Sequence, residues 1–225
     1  TVLSRGLGDV YKRQGVTGKI ISVDNDPAML TVAKTLFAKI DDKNKARTEW
    51  FDCGAEFLNL KPNELDLCTL LQGPNFLSDP KKVLKGVLSA LKPGGRVVGN
   101  AWDRIEENKG HFAISSALKK LGFQPALKPF SLGPPAILRD IFVESGFVVE
   151  KFYTEQKIIS FNSVKEFVSS VASGAPATRH AISQLDASKY GDFFKIVEEL
   201  LADYSSTNGV KLPTQAHIVL AVPAA

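Results

Sequence analysis

An acidic residue at the end of an apolar strand is the first feature of the sequence that could bind a ligand. Residues 19–23 form the short run K-I-I-S-V, and Asp24 follows it directly. Such a run predicts a buried parallel strand, which places the Asp24 carboxylate at the carboxyl edge of a sheet. There the carboxylate offers two acceptor oxygens to a ligand that carries a diol. The alternative is that Asp24 only supports the turn after the strand.

Four side chains could act as a general base by residue type: His111, Tyr153, His180 and His217. A base is needed only where the reacting group must lose a proton. His217 begins a predicted core strand, which favours a structural role, and His111 has the alternative of an ordinary surface histidine. The sequence therefore assigns no catalytic residue.

The two cysteines, Cys53 and Cys68, have apolar neighbours and no His or Cys at the spacing of a metal site. We predict no metal and two buried, reduced thiols, which suits a reducing compartment. No run approaches the ~18 apolar residues of a membrane span, and no apolar signal core opens the chain. We expect a soluble cytoplasmic protein without stable membrane insertion.

The composition is that of a globular domain. Of 225 residues, 44% are hydrophobic and 23% are charged, which excludes a disordered chain, a collagen-like fibre and a disulfide-stapled miniprotein. The formal net charge is +4, but the lysines are scattered, as at Lys81-Lys82 and Lys119-Lys120. Scattered lysines are typical of solvated helix faces, so we expect no nucleic-acid partner.

Strands and helices alternate from Lys19 to Trp102. The apolar patterns predict strands at 19–23, 47–51, 65–70 and 96–102, and helices at 27–40 and 80–91, the second helix being followed by the breaker Lys92-Pro93-Gly94-Gly95. Strands separated by helices imply crossover connections and a sheet covered on both faces. The predicted fold class is therefore α/β, with a doubly wound, mostly parallel sheet.

The second half of the chain is less regular. Its patterns predict helices at 108–121 and 135–145, a long strand at 147–161, three helical stretches within 163–204 and a last strand at 216–222. About fifty residues separate the last two strands, which is too many for a plain loop. We therefore predict a helical cap, inserted at about 163–212, over the carboxyl end of the sheet.

Residues 20–30, I-I-S-V-D-N-D-P-A-M-L, resemble the second strand and following turn of class I S-adenosylmethionine-dependent methyltransferases. In that family an acid at this strand end binds both ribose hydroxyls, and an apolar residue just beyond packs on the adenine. The resemblance implies these roles for Asp24 and Met29, and it places Asn25 in the same cofactor-binding turn.

Three further segments carry the same resemblance. Residues 50–56 are similar to the family's third strand and adenine-contacting turn, which implies that Gly54, Ala55 and Glu56 contact the cofactor. Leu71 and Gln72 lie where the family's loop passes the methionine end of the cofactor. The segment 91–96, L-K-P-G-G-R, resembles the turn before the family's fifth strand. The family often has an acid where this chain has Gly54, and usually Arg where it has Ser89.

The resemblance extends over about residues 15–222 and is strongest to the quinone-biosynthesis branch of these methyltransferases. It implies a Rossmann-like methyltransferase fold whose last strand is antiparallel, and S-adenosyl-L-methionine as the cofactor. It also implies methyl transfer to a small-molecule acceptor, apolar or aromatic. Trp102 and Phe130 belong either to the acceptor pocket or to the core. The acceptor, the atom that is methylated and the oligomeric state stay open.

The first fourteen residues fit the family poorly. Residues 6–8 offer two glycines, but Ser4 stands where the family has an acid, and six residues between Gly8 and Gly15 are too few for a crossover helix. Residues 4–14 also resemble a translated sequencing adapter. We therefore predict a non-native segment at 1–14 and a methyltransferase-like domain at 15–225.

Two alternatives to an active methyltransferase follow from this altered N-terminus. One is a truncated or degenerate methyltransferase-like protein that does not bind the cofactor, and we expect the chain as written to bind S-adenosylmethionine weakly at best. The other is a nicotinamide-dependent oxidoreductase, which a strand-end acid alone would also fit, although no intact glycine fingerprint precedes Asp24.

Overall fold

The computed structural model describes residues 18–41 and 46–224. The predicted non-native segment, 1–14, lies outside the described residues and stays a prediction. The chain divides into two compact units. The first unit contains the chain up to Ala101, Ala136–Phe152 and the chain from Ile218 onwards, and the second contains Trp102–Pro135 and Tyr153–His217.

The first unit begins with a parallel strand pair joined by a helix. Strand β1 (Lys19–Asp24), helix α1 (Pro27–Ala38) and strand β2 (Arg47–Asp52) follow one another, and the register of the two strands ends with Asp24 opposite Asp52. Asp26 sets the start of α1, because its Oδ1 accepts hydrogen bonds from the backbone amides of residues 28 and 29 at 2.8 and 3.4 Å. The buried side chain of Ile20 packs between the helix and the strands.

A second parallel pair follows in the same unit. Strand β3 (Leu65–Leu71) is joined to strand β4 (Leu91–Trp102) through helix α2 (Pro80–Ala90). The predicted break between helix and strand, at residues 92–95, is wrong, because β4 already begins at Leu91. The pairing shifts from Leu65↔Leu91 to Leu67↔Arg96, so residues 92–95 form a bulge in β4.

The remaining strands complete a mixed sheet. Strands β5 (Phe147–Phe161), β6 (Ser205–Ser206) and β7 (Gly209–Pro223) join β3 and β4 in the order β3-β4-β7-β5, with β6 paired to β7. Within the described residues, β1 and β2 form a separate two-stranded sheet. The α/β class and the antiparallel last strand are confirmed.

The last strand is longer than the sequence predicted, since it starts at Gly209 rather than Ala216. It forms a tight antiparallel turn with β6, in which Ser206 pairs with Gly209. Gly209 has a φ of +108°, and a Cβ there would lie 2.2 Å from the carbonyl oxygen of Phe161. Only glycine fits this backbone position.

The second unit is mainly helical. It contains α3 (Lys109–Lys120), α5 (Val164–Gly174), α6 (Pro176–Ser183) and α7 (Ala187–Leu200), whereas α4 (Pro135–Glu144) lies almost wholly in the first unit. Helices α3, α5, α6 and α7 share one buried core, whose members include Ala113, Ile114, Ala117, Leu118, Phe167, Val168, Phe193, Val197 and Leu201. The predicted cap at 163–212 is therefore only part of a larger unit. Its location over the carboxyl edge of the sheet stays a prediction.

Three further expectations concern the whole chain. Cys53 and Cys68 are free thiols in residues that are partly exposed, and burial of the Cys68 thiol itself raises its pKa to about 12. Across residues 18–41 and 46–224, no helix is long and apolar enough to span a membrane. The same residues contain no group of three or more His, Cys, Asp or Glu that could hold a metal ion.

Two helical glycines give a direct test of packing in the second unit. A Cβ on Gly110, in α3, would lie 2.4 Å from Cζ of Phe167 and 2.9 Å from Cδ1 of Leu212. We expect Gly110→Ala to lower the free energy of unfolding by about 1–3 kcal/mol through overpacking, despite the higher helix propensity of alanine. Urea unfolding of the purified variant measures this change.

The matched control is Gly191→Ala in α7, where no heavy atom lies within 4 Å of the added Cβ. This variant should raise the free energy of unfolding by about 0.5–1 kcal/mol, because only helix propensity changes. Equal stabilisation by both substitutions would contradict the packing of Phe167 against α3.

Candidate functional site

The Asp24 carboxylate lies buried at the carboxyl end of β1, with 7% of the residue exposed. Its Oδ1 accepts a hydrogen bond from the backbone amide of Asp26 at 3.0 Å. Burial raises the pKa of Asp24, while hydrogen bonds from the amides of Asp26 and Asn25 act in the opposite direction. Among the described residues, no Lys or Arg forms an ion pair with Asp24. The carboxylate thus supports the turn and still has acceptor capacity for a ligand.

The turn after β2 lies directly beside this carboxylate. The register places Asp24 opposite Asp52, and the amide of Cys53 donates to the carbonyl oxygen of Asp24 at 3.2 Å. The structure therefore brings together the two turns that the sequence assigned to the ribose and the adenine. Exposed Asn25 follows Asp24 in the first of them, and half-buried Met29 lies in the first turn of α1.

Glu56 connects the turn after β2 to the residues just before α2. Its Oε1 accepts hydrogen bonds from the backbone amide and from the hydroxyl of Ser78, both at 2.8 Å. The amide of Glu56 itself, followed by the Ser78 hydroxyl, lowers the pKa of this carboxyl to about 2. Gly54 keeps the turn tight, because a Cβ there would lie 3.0 Å from Oε2 of Glu56. Ala55 begins the 3-10 helix of this turn, and its predicted contact with the cofactor, like those of Gly54 and Glu56, stays a prediction.

Gln72 carries an acceptor that the described residues leave unused. It follows β3 with a φ of +54°, and its backbone amide donates to Oδ1 of Asn100 at 2.6 Å. Its side-chain Oε1 is buried and accepts no hydrogen bond from any described residue. Half-buried Leu71 precedes it, and a Cβ on Gly73 would meet no heavy atom within 4 Å. The loop therefore combines a buried acceptor with open space.

These features fit the cofactor that the sequence predicted. Its adenosine carries a ribose diol, and its methionine part carries an amino group, so both ends need acceptors. Asp24 supplies a carboxylate with remaining acceptor capacity, and Gln72 supplies an orphaned amide oxygen. A buried polar atom without a partner is costly in a folded protein, which makes a bound donor a natural explanation.

Of the candidate bases, His217 has a structural environment. It is 1% exposed, and its Nε2 lies 2.7 Å from the carbonyl oxygen of Gly133 and 3.1 Å from Oδ1 of Asp103. Its Nδ1 lies 2.9 Å from the hydroxyl of Thr154. The side chain therefore ties three segments of the second unit together.

The other three candidates differ in surroundings. Tyr153 is half exposed on β5, and His180 is exposed on α6 with its Nε2 2.9 Å from Nε2 of Gln184. His111, near the start of α3, lies against aromatic rings, and burial lowers its pKa to about 4. It is not the ordinary surface histidine that the sequence left as an alternative.

Sequence reasoning missed the residues that position the site. Ser78 anchors Glu56, Asn100 holds the Gln72 amide, and Asp103 contacts His217. The signal for Asn100 was its place as a polar residue in the apolar strand V-V-G-N-A-W. Ser78 and Asp103 had no such signal, because their partners lie 22 and 114 positions away in the sequence.

Comparison with known proteins identifies the family. A family model described as "ubiE/COQ5 methyltransferase family" matches residues 6–120, which is more than half of the chain. The chain belongs to the ubiE/COQ5 methyltransferase family. This assignment confirms the class I methyltransferase resemblance, in its quinone-biosynthesis branch.

Individual relatives of the family match less than half of the chain. A mitochondrial 2-methoxy-6-polyprenyl-1,4-benzoquinol methylase from Caenorhabditis elegans is 32% identical over 98 residues, covering 42% of this chain and 34% of the relative. A demethylmenaquinone methyltransferase from Lactococcus lactis is 34% identical over 90 residues, covering 40% of this chain and 34% of the relative. The match thus spans about a third of the length of these curated relatives.

Solved structures share the fold over a longer stretch. A protein from Bacillus halodurans C-125 superposes with a TM-score of 0.58 and 10% identity over all of both chains. A SAM-dependent methyltransferase from Methanosarcina mazei gives a TM-score of 0.52 and 10% identity, covering 98% of this chain and 87% of the other. At this identity the likeness supports the family's fold and says nothing of the substrate.

The Glu56 anchor has a testable pH dependence. We expect Glu56→Gln to lower the free energy of unfolding at neutral pH by about 1–2 kcal/mol, with solvent screening keeping the loss below that of a buried group. Because the folded state lowers the pKa of Glu56 from 4.5 to about 2, this stabilisation exists above the unfolded pKa and is lost as the pH falls towards 2. The stability difference between wild type and variant should therefore shrink in urea titrations at successively lower pH.

The control for this measurement is Glu150→Gln, since Glu150 is exposed on β5 and its side chain forms no hydrogen bond with the described residues. Its substitution should change stability by less than about 0.5 kcal/mol at every pH. A Glu56→Gln difference that stays constant with pH would contradict the anchor.

Proposed function

We propose that this chain is an S-adenosylmethionine-dependent methyltransferase whose acceptor is a small, apolar hydroxyaromatic of the quinol class. Family membership supports methyl transfer, and the names of the two relatives above support a quinone-type ring as the acceptor. The single observation that carries the cofactor is the buried Asp24 carboxylate at the carboxyl end of β1, which accepts hydrogen bonds from backbone amides and forms no ion pair with a Lys or Arg among the described residues.

We infer a role in cofactor binding for three of the predicted residues. Asp24 accepts the two ribose hydroxyls, and Met29 packs on the adenine from the first turn of α1. Gln72 offers its buried Oε1 to the amino group of the methionine part. When bound, S-adenosylmethionine supplies a methyl carbon that a sulfonium makes electrophilic.

The chain's main contribution to the reaction is positioning. An aligned nucleophile gains much of its rate from fixed distance and orientation, so an acceptor with a reactive ring atom needs little acid catalysis. A base is required only where the acceptor loses a proton in the same step. The turns at Asp24, Glu56 and Gln72 suit this kind of catalysis, because each is fixed by a hydrogen bond from a backbone amide to a side-chain oxygen.

Family membership favours this proposal over the nicotinamide-dependent oxidoreductase that a strand-end acid alone would allow. A methyltransferase-like protein that does not bind the cofactor is the other candidate. Titration with S-adenosylhomocysteine decides between this candidate and a cofactor-binding methyltransferase. We also propose that the protein works in the cytoplasm, where its two free thiols stay reduced.

Asp24→Ala tests the cofactor site. It should weaken the binding of S-adenosylhomocysteine by about 1.5–3 kcal/mol, roughly 10- to 150-fold, because a charge-assisted pair of hydrogen bonds is lost. NMR titration of the 15N-labelled protein, with ligand up to several millimolar, detects even weak binding. The amides of Asn25 and Gln72 should shift in the wild type.

The matched control is Asp26→Ala, two residues along the same turn. Asp26 is exposed and caps α1, so its loss should cost about 1 kcal/mol of stability and leave the affinity within about twofold. An unchanged affinity of Asp24→Ala for S-adenosylhomocysteine would contradict the proposal that Asp24 binds the ribose. No shift in the wild type at saturating concentrations of ligand would favour the candidate without cofactor binding.

A further inference from the structure

Four ring side chains of the second unit form one cluster: Trp102, His111, Phe130 and Phe167, named here the aromatic cluster. The His111 ring is its centre, with ring centroids 6.1 Å from Trp102, 5.4 Å from Phe130 and 6.3 Å from Phe167. Phe130 and Phe167 are buried, whereas Trp102 and His111 are half-buried. The cluster therefore combines two buried phenyl rings with an indole and an imidazole that solvent partly reaches.

His111 differs from the other two histidines in its hydrogen bonding. Thr154, Gly133 and Asp103 lie within hydrogen-bond distance of His217, and Gln184 within that of His180, but the imidazole of His111 forms no hydrogen bond with any residue that the structure describes. His111 is half-buried, so its imidazole stays open to a hydrogen-bond donor from outside the protein. Its place at the centre of three aromatic rings points to an aromatic ligand as the source of that donor.

The chemistry of such a ligand follows from the cluster. Aromatic rings pack favourably against another aromatic ring, in offset or edge-to-face arrangements. Burial lowers the pKa of His111 to about 4, so at neutral pH the imidazole is uncharged and one of its nitrogens is an acceptor. A ring that carries a hydroxyl donor satisfies both features at once.

The backbone around the cluster is held rigidly. Gly110 allows Phe167 to approach α3, because a Cβ there would overlap the Phe167 ring. Asn108, which is fully buried, accepts hydrogen bonds from Thr214 and Gln215 at 2.6 and 3.1 Å and so fixes the start of α3. A site whose supporting residues are locked in this way is organised before a ligand binds.

We propose that the aromatic cluster binds the hydroxyaromatic acceptor, with an imidazole nitrogen of His111 accepting a hydrogen bond from the ring hydroxyl. This inference rests on the proposed function and deepens it, because it names the part of the chain that receives the acceptor ring. His111 selects hydroxylated rings, and the three aromatic residues supply the affinity that any flat ring would share.

The test uses two naphthalene probes and the indole NMR signals of the wild-type protein. The chain has two tryptophans, so Trp102 reports on the cluster and Trp50, in the first unit, is an internal control. We expect 2-naphthol and 2-methoxynaphthalene both to shift the Trp102 indole signal and to leave that of Trp50 unchanged. The hydroxyl of 2-naphthol should give about fivefold to tenfold tighter binding.

Variants of His111 separate ring binding from hydroxyl recognition. His111→Phe should keep ring binding but lose the preference for 2-naphthol, so that the two affinities become equal. His111→Gln retains a carbonyl acceptor and should keep part of the preference for 2-naphthol. This variant also provides the test if His111→Phe does not fold. His180→Phe, on the exposed face of α6, is the matched control and should keep the full preference.

Two results would overturn the inference. One is that neither probe shifts the Trp102 signal, and the other is that His111→Phe keeps the wild-type preference for 2-naphthol. The probe titrations contain no cofactor, so the S-adenosylhomocysteine titration of the same samples reports on the proposed function separately. Probe binding with loss of preference in His111→Phe, but without cofactor binding, would leave the cluster as a ring site and refute methyl transfer.

Discussion

The burial of one carboxylate at the end of β1 is the constraint on which the first unit depends. An ionised group shielded from water is costly unless hydrogen bonds stabilise it. The amides of Asn25 and Asp26 provide part of that stabilisation, and the turn geometry needed to aim them is set by the start of α1. The Cys53 amide donates a hydrogen bond to the carbonyl oxygen of Asp24, and this bond fixes the turn after β2 beside Asp24. A ligand with hydroxyl donors would complete the arrangement.

Two other polar groups, unlike Asp24, have no hydrogen-bond partner at all among the described residues. The Gln72 Oε1 is buried after β3, and the imidazole of His111 lies among aromatic rings in the second unit. In contrast, Glu56 and His217 are satisfied by neighbouring groups and hold loops in place. The chain thus separates polar residues that stabilise the fold from those that await hydrogen-bond donors. Hydroxyl and amino donors are the groups that the proposed cofactor and acceptor would bring.

Much of the fold could be predicted, because strands and helices depend on local patterns. The strand before Asp24 and the helices that start at Pro27 and Pro80 appear in the structure as predicted. The bulge at Pro93-Gly94-Gly95 could not be predicted, since β3 supplies the pairing partner from distant sequence. The full second unit was missed for the same reason: α3 packs with helices that lie far along the chain. Local patterns identify which side chains can bind ligands, but not which of them tertiary contacts leave without a partner.

The most direct test of the account is the pKa of Asp24, measured from its 13C carboxyl signal with and without S-adenosylhomocysteine. Without ligand, burial should hold this pKa above the ordinary value of about 3.9. At saturating ligand the pKa should fall, because hydroxyl donors stabilise the ionised form. A pKa that stays the same while the ligand binds elsewhere on the protein would contradict the central claim that Asp24 holds the ribose.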